Sequence, residues 1–534
     1  MATSSNPPGK PRKKGALRGA LEDILPFERF GDERTILAGT GQSVVGLAVA
    51  IIATFATQVL ITRVQGPEIF GIVTIAAEGA VVLAYFSRVG MDMAAVRRVA
   101  IEVGRGERAR VRGIVARATA ISLVVGLLVT AGVLFFAEDL ARAVASDVWE
   151  SEAISVFRLI AIAIPFAALV QVYLGATRGL KIMRHTLYVY WMGQPLGWLA
   201  LILLGWAFAG GALDAATALA YSISWVLAAA AAAWFWHRET RTFARDAPPS
   251  GETGALLRYG APRAPAALFS HLLFWTDLFV LSAFANSTET GIYAAVARAA
   301  QVILLFIIAV SLMFSPFVAD LHARGERDKL DKLFKQLTRW TMALTLPLFV
   351  VLAVTPGSAL RLFGSEFGQG RTALLILLLG QLVNVATGTV GFILIMVGRT
   401  GWDLLVYAGS LLFDIAAAVL LIGGLELGME GAAIAGALTM ALSKVARLWL
   451  VWRFVHIQPF DRQYARLAIP TLAAIAAGVG THVSLVSASW PVDLLGTGAV
   501  VGLVYLVILV AVGLPPAEKR AALRLGSAAL GRPR

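Results

Sequence analysis

An all-α protein that crosses a membrane many times is what this sequence encodes, and three observations say so. Of its 534 residues, 58% are hydrophobic and 15% charged, whereas a soluble chain carries about 25% charged residues. Apolar runs of roughly 20 residues recur from about residue 43 to about residue 513, each long enough to cross about 30 Å of hydrocarbon as a helix. Lys and Arg crowd into alternate gaps between those runs, as the positive-inside rule requires. A transmembrane β-barrel is excluded, because its strands would be about 10 residues long and alternate in polarity.

In chain order, residues 1–37 read as a cytoplasmic tail. "MATSSNPPGKPRKKGALRG" is basic and lacks the apolar core of a signal peptide. Leu17, Leu21 and Leu25, four residues apart, then predict a short amphipathic helix on the membrane surface. Fourteen spans follow, centred near residues 53, 80, 125, 165, 196, 225, 272, 304, 344, 384, 413, 441, 474 and 504. They group as a first lobe (38–240), a cytoplasmic linker (241–257), a second lobe (258–455), a final pair of spans (464–513) and a basic tail (514–534). Pro165, Pro195, Pro316, Pro347 and Pro470 fall within spans and predict bends.

Charge placement sets the orientation. "RRVAIEVGRGERARVRG", "TRGLKIMRH", "HRETRTFARD", "HARGERDKLDKLFKQ" and the C-terminal tail share one side, while Arg63, Arg142, Arg361 and Arg371 occupy the other. The basic side is expected to be cytoplasmic and to hold both termini. The net charge of +13 is therefore a topology signal, and no nucleic-acid partner is expected. The chain has no cysteine, which removes disulfides and thiol chemistry, and its six His show no metal-ligand spacing.

The chain also repeats. "FATQ" (55–58) is matched by "FWTD" (274–277), Gly71-Ile72 by Gly291-Ile292, and "RGER" (105–108) by "RGER" (324–327), at offsets of 219 or 220. One match is chance; three at one offset point to a duplication of six spans. Six is even, so both copies enter the membrane in the same sense. Two parallel repeats should then enclose a cavity about an axis along the membrane normal.

"LITRVQGPEIFGIVTIAAEGAVVLAYFSRVGMDMAAVRR" resembles the first hairpin of the polysaccharide-transporter (Wzx-type) flippases. These belong to the multidrug/oligosaccharidyl-lipid/polysaccharide (MOP) exporter superfamily. "ETGIYAAVARAAQVILLFIIAVSLMFSPFVADLHARGE" and "LFGSEFGQGRTALLILLLGQLVN" are similar to its later segments, so the resemblance covers about residues 38–455. It implies a V-shaped, two-lobed, twelve-helix core and export of undecaprenyl-diphosphate-linked oligosaccharides for surface polysaccharides such as O-antigen and lipopolysaccharide. Fourteen spans are similar to the lipid II flippases. Their dense basic cluster in the first span is missing here, where Gln58 and terminal Arg63 stand instead.

Ionisable residues at mid-membrane cost about 2.5–3.5 kcal/mol even on the lenient insertion scale, so they are functional candidates. Asp277 lies eleven residues before the turn at Thr288 and Arg298 ten after it. Both are thus about 15 Å below the surface at 1.5 Å per residue. The repeat pairs Arg298 with Glu78, and Asp277 with Gln58. A cavity cluster of Arg298, Asp277 and Glu78 is expected, with Arg298 binding phosphate oxygens through its guanidinium fork. A charge-neutralised packing pair is the alternative. Arg263 near a cytoplasmic span end and Asp414 in mid-span are further cavity candidates, whereas Arg88, Asp92 and Arg158 read as interfacial anchors. The aromatics of "HTLYVYWMGQPLGW" would anchor at the interface or stack on sugar rings.

The expected function is a flippase of the bacterial inner membrane, working by alternating access on a lipid-linked oligosaccharide whose tail stays among membrane lipids. No GxxxxGK[ST] stretch occurs, so no cofactor is expected. Energy would come from an H+ or Na+ gradient or from downstream polymerisation. Polysaccharide polymerase machinery is the expected protein partner of a monomeric chain. The competing readings are a multidrug/cation antiporter of the same superfamily, a lipid II flippase, a membrane glycosyltransferase and a scaffold. Outside loops of about 16 residues are too short for a catalytic domain.

Overall fold

The computed structural model describes residues 33–145, 147–208, 211–243, 252–261, 264–308, 310, 321, 325–397, 399–514 and 519. Among them are helices and connecting turns and no strand. Among the described residues, twelve helices are long and apolar enough to cross a membrane. The chain is a multi-pass membrane protein, and helices suit it because each satisfies its own backbone polar groups without water.

That number differs from fourteen at two places, each with a local cause. Residues Glu33–Ser87 form a 55-residue helix broken at Gly66, whose φ of 81° and ψ of 177° are non-helical. Glycine takes positive φ without a Cβ penalty, and the following Pro67 can begin a helix because no N–H is needed there. The spans expected near 53 and 80 meet at this break. The span expected near 272 is two nine-residue helices, Ala264–Leu272 and Thr276–Phe284, joined by a turn at 273–275. Neither half alone reaches the roughly 20 residues a crossing needs.

Proline shapes the helix pair Glu150–Ala161 and Ala163–Gly179. Pro165 lacks the N–H that the Ala161 carbonyl would accept. Thr130 Oγ1 on a neighbouring helix donates to that oxygen at 3.2 Å. Pro195 follows a π-helical stretch, Leu187–Gly193, and Pro347 lies inside Arg327–Val354. The basic segment after Ser87 is a helix, Met91–Gly104, burying Met91, Ala94, Ala95 and Val99 and exposing Arg97. The linker contributes helix Glu252–Gly260, packed on it. The amphipathic helix expected at Leu17–Leu25 lies outside the described residues, as do Arg263, Pro316 and all of the C-terminal tail but Leu514 and Lys519.

Packing repeats between the two halves. Ala163–Gly179 packs on Leu213–Glu239 as Arg371–Ala386 packs on Gly428–Val455. Gln194–Phe208 and Thr400–Ala418 flank those same partners in turn. The halves meet where the second span lies against helix Ser287–Gln301. Here residues 220 apart touch each other. Thr288 Oγ1 donates to Glu68 Oε1 at 2.7 Å, and Arg298 donates to Glu78. Gly71 and Gly291 are in backbone contact: a Cβ on Gly291 would lie 1.8 Å from the Pro67 oxygen, and one on Gly71 2.7 Å from the Ser287 oxygen. A residue meets its own repeat equivalent only at a two-fold axis. Three such pairs along ten residues of helix make that axis run along the helices. The last two long helices, Ala468–Ser484 and Trp490–Ile508, pair with each other and dock on Arg327–Val354.

Candidate substrate cavity

Beside the axis lies a cavity of about 360 Å³, bounded on one side by Gln58 and Glu78 and on the other by His271, Phe274 and Arg298. Arg298 Nη2 donates to Glu78 Oε1, and the guanidinium carbon sits 4.2 Å from the centre of the Trp275 ring. His271 Nε2 is 3.6 Å from the other Glu78 oxygen, Oε2. The imidazole stacks on Tyr85 with ring centroids 4.9 Å apart. Each half thus supplies one arm of a charge cluster whose members offset each other's desolvation.

The cluster is Glu78, Arg298 and His271, and Asp277 is not in it. Asp277 Oδ2 accepts from the Tyr293 hydroxyl at 2.5 Å, and Oδ1 from the Leu278 N–H at 2.8 Å. It presses against the second half's own helix Gly428–Val455, where a Cβ on Gly436 would lie 2.7 Å from Oδ2. Counting residues from a turn yields depth, not direction: at about 100° per residue a helix can aim two level side chains apart. Asp414 accepts from Thr439 Oγ1 at 2.8 Å. It lies close enough to Asp277 and Tyr293 to interact with both electrostatically. Both carboxylates are buried inside the second half and neither lines the cavity.

The other expectations divide. Gln58 lines the cavity and is 4% exposed. Arg88 and Asp92 pair at 3.4 Å, with Arg88 over the Tyr85 ring at 3.6 Å, so they are buried rather than headgroup-facing. Arg158 pairs with Glu138 at 3.2 Å in an exposed position. The aromatics of the fifth span line the cavity with Tyr190, Trp191 and Trp198, joined by Tyr221 and Trp225 of the sixth.

Sequence reasoning passed over His271. By residue counting it lies about 10 Å beyond Arg298. The turn at 273–275 and the reach of two long side chains bring it to Glu78. An ionisable residue one turn from an aromatic near mid-span was the available signal. The buried Arg447–Asp403 pair, at 2.8 Å, was also missed.

A family model described as polysaccharide biosynthesis protein (Polysacc_synt) matches residues 36–322, more than half of the chain. The chain belongs to that family. No curated protein matches its sequence. Among solved structures, its fold is similar to that of the lipid II flippase MurJ in an inward closed conformation. The TM-score there is 0.71 at 14% identity, covering 92% of this chain and 99% of that one. It is also similar to an inward-facing multidrug resistance MATE family transporter of the MOP superfamily, at TM-score 0.61 and 15% identity, covering 83% and 98%. A MOP superfamily transporter from Pyrococcus furiosus, with a binding pocket of reverse polarity, matches at TM-score 0.60 and 16% identity, covering 78% and 95%. This family member therefore has the MOP superfamily fold, as the sequence resemblance implied.

Proposed function

We infer that this protein moves a lipid-linked oligosaccharide, carried on a diphosphate of the undecaprenyl type, across the cytoplasmic membrane by alternating access. The observation that carries the reading is Arg298, held across the two halves by Glu78, which also meets His271, at the wall of a cavity. A guanidinium takes phosphate oxygens bidentately. Glu78 engages it in this structure; an incoming diphosphate would replace Glu78, which would then keep His271 as partner. Membership of a polysaccharide biosynthesis family supports a glycan as cargo.

The halves are closed against each other at the Gly66 end. Besides the axis contacts, Arg63 donates to the Arg361 and Leu362 carbonyls at 2.5 and 2.9 Å. We take that end as periplasmic, both termini as cytoplasmic, and the number of crossings as fourteen. Release would require those contacts to break while the lipid tail stays outside the cavity. Asp277 and Asp414, shared inside the second half, are the groups through which an H+ or Na+ gradient would act on this cycle.

Flipping in proteoliposomes tests the reading. A fluorescent undecaprenyl-diphosphate oligosaccharide should be translocated by wild-type protein, while a cationic dye should not accumulate. Dye uptake without lipid flipping would replace this reading with a drug antiporter, and selective flipping of lipid II would make that lipid the cargo.

A further inference from the structure

The final helix pair, Ala468–Ser484 and Trp490–Ile508, stands outside the duplication, and its tip holds a polar cluster away from the cavity. Asp493, 3% exposed, is the centre of that cluster. Its Oδ2 accepts from Ser358 Oγ at 2.5 Å. Its Oδ1 lies 2.8 Å from His482 Nδ1 and accepts from Thr497 Oγ1 at 3.4 Å. Ser358 belongs to the short helix Pro356–Leu360 of the second half, on which Trp490–Ile508 also packs. Hydrogen bonds to a charged acceptor are the stronger kind. The carboxylate thus pins the start of the last helix to the second half and ties the two helices of the pair together.

The pin fixes Trp490, three residues earlier. Its ring centre lies 5.6 Å from the guanidinium carbon of Arg63, at the Gly66 end of the first span. Arg63 is the same side chain that donates to the Arg361 and Leu362 carbonyls, which directly follow Pro356–Leu360. An arginine of the first half is therefore held by two carbonyls of the second half and by an aromatic face of the appended pair. A cation over an aromatic ring is attracted by the ring's negative face.

The other side of the axis is built differently. The repeat offset carries Arg63 to Ser282 or Ala283, and helix Ala137–Val144 takes the place of Pro356–Leu360. The charges of Ala137–Val144 pair within the first half, Arg142 with Glu150 at 2.9 Å and Glu138 with Arg158 at 3.2 Å. The Ser282 hydroxyl donates to the Phe279 carbonyl of its own helix at 2.8 Å. Between these elements is an apolar gap of about 270 Å³, lined by Leu140, Ala143, Ser282 and Ala283. A gap on one side and a clasped arginine on the other make the appended pair part of the closure.

We propose that the last two helices are a strap on the gate at the Gly66 end. Asp493 fastens the strap to the second half, Trp490 lies over Arg63, and the ring must leave the guanidinium before the halves part. This rests on the alternating-access reading and adds how the closed state is held. A helix pair that only anchored the chain in lipid would leave the gate unaffected when Trp490 is lost.

Labelling of a single cysteine in the full chain in nanodiscs tests the strap. Phe367 is 1% exposed, its ring is 6.4 Å from that of Phe70 in the first half, and the chain has no native cysteine. A charged maleimide therefore reacts with Phe367→Cys at a rate set by the fraction of molecules open at that end. Trp490→Ala should raise the rate about two- to fivefold, the strength of an exposed cation–π contact. Trp490→Tyr keeps an aromatic face and should recover most of the wild-type rate. Asp493→Ala should raise the rate in the wild-type background and add nothing once Trp490 is Ala, because both act through one contact. Arg63→Ala, which also loses two carbonyl bonds, should raise it further. If Arg63→Ala speeds labelling but Trp490→Ala does not, or if Asp493→Ala acts equally with and without Trp490, the strap is wrong and the alternating-access reading stands. If no variant changes the rate, Arg63→Ala included, this end does not open and both fall.

Discussion

Helix Leu213–Glu239 of the first half brings Tyr221 and Trp225 to the cavity, whereas helix Gly428–Val455, its counterpart in the second half, buries Gly431, Ala432, Ala433 and Ala435. The small residues let neighbours approach closely: a Cβ on Gly380 would lie 2.7 Å from Ala437 Cα, and Gly436 receives the Asp277 carboxylate. Large aromatics cannot pack this tightly and leave a space between them. One duplicated scaffold has therefore been finished in two ways. The first half offers an aromatic wall; the second offers a close-packed interior holding two carboxylates, and lends the cavity only the arm with Arg298 and His271. Parallel repeats leave room for such divergence, because only residues on the axis must fit their own copies.

The largest expected effect comes from the arm the second half lends. Arg298→Ala should lower flipping of a lipid-linked oligosaccharide in proteoliposomes by about 100-fold or more, since losing one partner of a hydrogen-bonded charge pair with the diphosphate costs about 2–5 kcal/mol of binding. Activity within a fewfold of wild type would show that the second half supplies no anchor.

Next comes the axis itself. Gly291→Val puts a side chain where even a Cβ meets the Pro67 oxygen, so the halves should part at the Gly66 end. The chain has no native cysteine, so a Phe70→Cys/Phe367→Cys pair, introduced where those rings sit 6.4 Å apart, reads this through cross-linking by a short bis-maleimide. Cross-link yield should fall severalfold in the valine variant; unchanged yield would mean the glycine contact does not hold the ends closed.

The smallest effects belong to the second half's interior. Tyr293→Phe removes one hydrogen bond to Asp277, worth about 1.5–3 kcal/mol when the acceptor is charged. It should lower the melting temperature by a few degrees and leave affinity for geranyl diphosphate within about twofold. A large loss of affinity instead would place Asp277 back in the cavity's business and blur the division between halves. Asp414→Asn should likewise spare affinity while altering the dependence of flipping rate on the imposed H+ or Na+ gradient. An unaltered dependence would remove Asp414 from coupling.

Much of this was legible before any coordinates. The offset of 220 residues and the pairing of Glu78 with Arg298 follow from duplicated words in the chain, and the structure joins that pair. Depth could be counted for Asp277, but its direction could not. Its partner Tyr293 lies sixteen residues away on the next helix, and nothing periodic links the two. His271 escaped because a break at 273–275 interrupts the regular rise that residue counting assumes. The aromatics of the fifth span stood out, yet an interface anchor and a cavity wall use the same residues.

By itself, then, the sequence determined the helical membrane class, the duplication and the two residues that meet across its axis. Apolar run length and repeat spacing are properties of the chain alone, and symmetry turns a spacing into a contact. Tertiary structure alone decided which charges share the cavity, which carboxylates withdraw into the second half, and which aromatics form the cavity wall. Those outcomes depend on the rotation of each helix about its own axis and on where helices break. Both are settled by packing against partners hundreds of residues away.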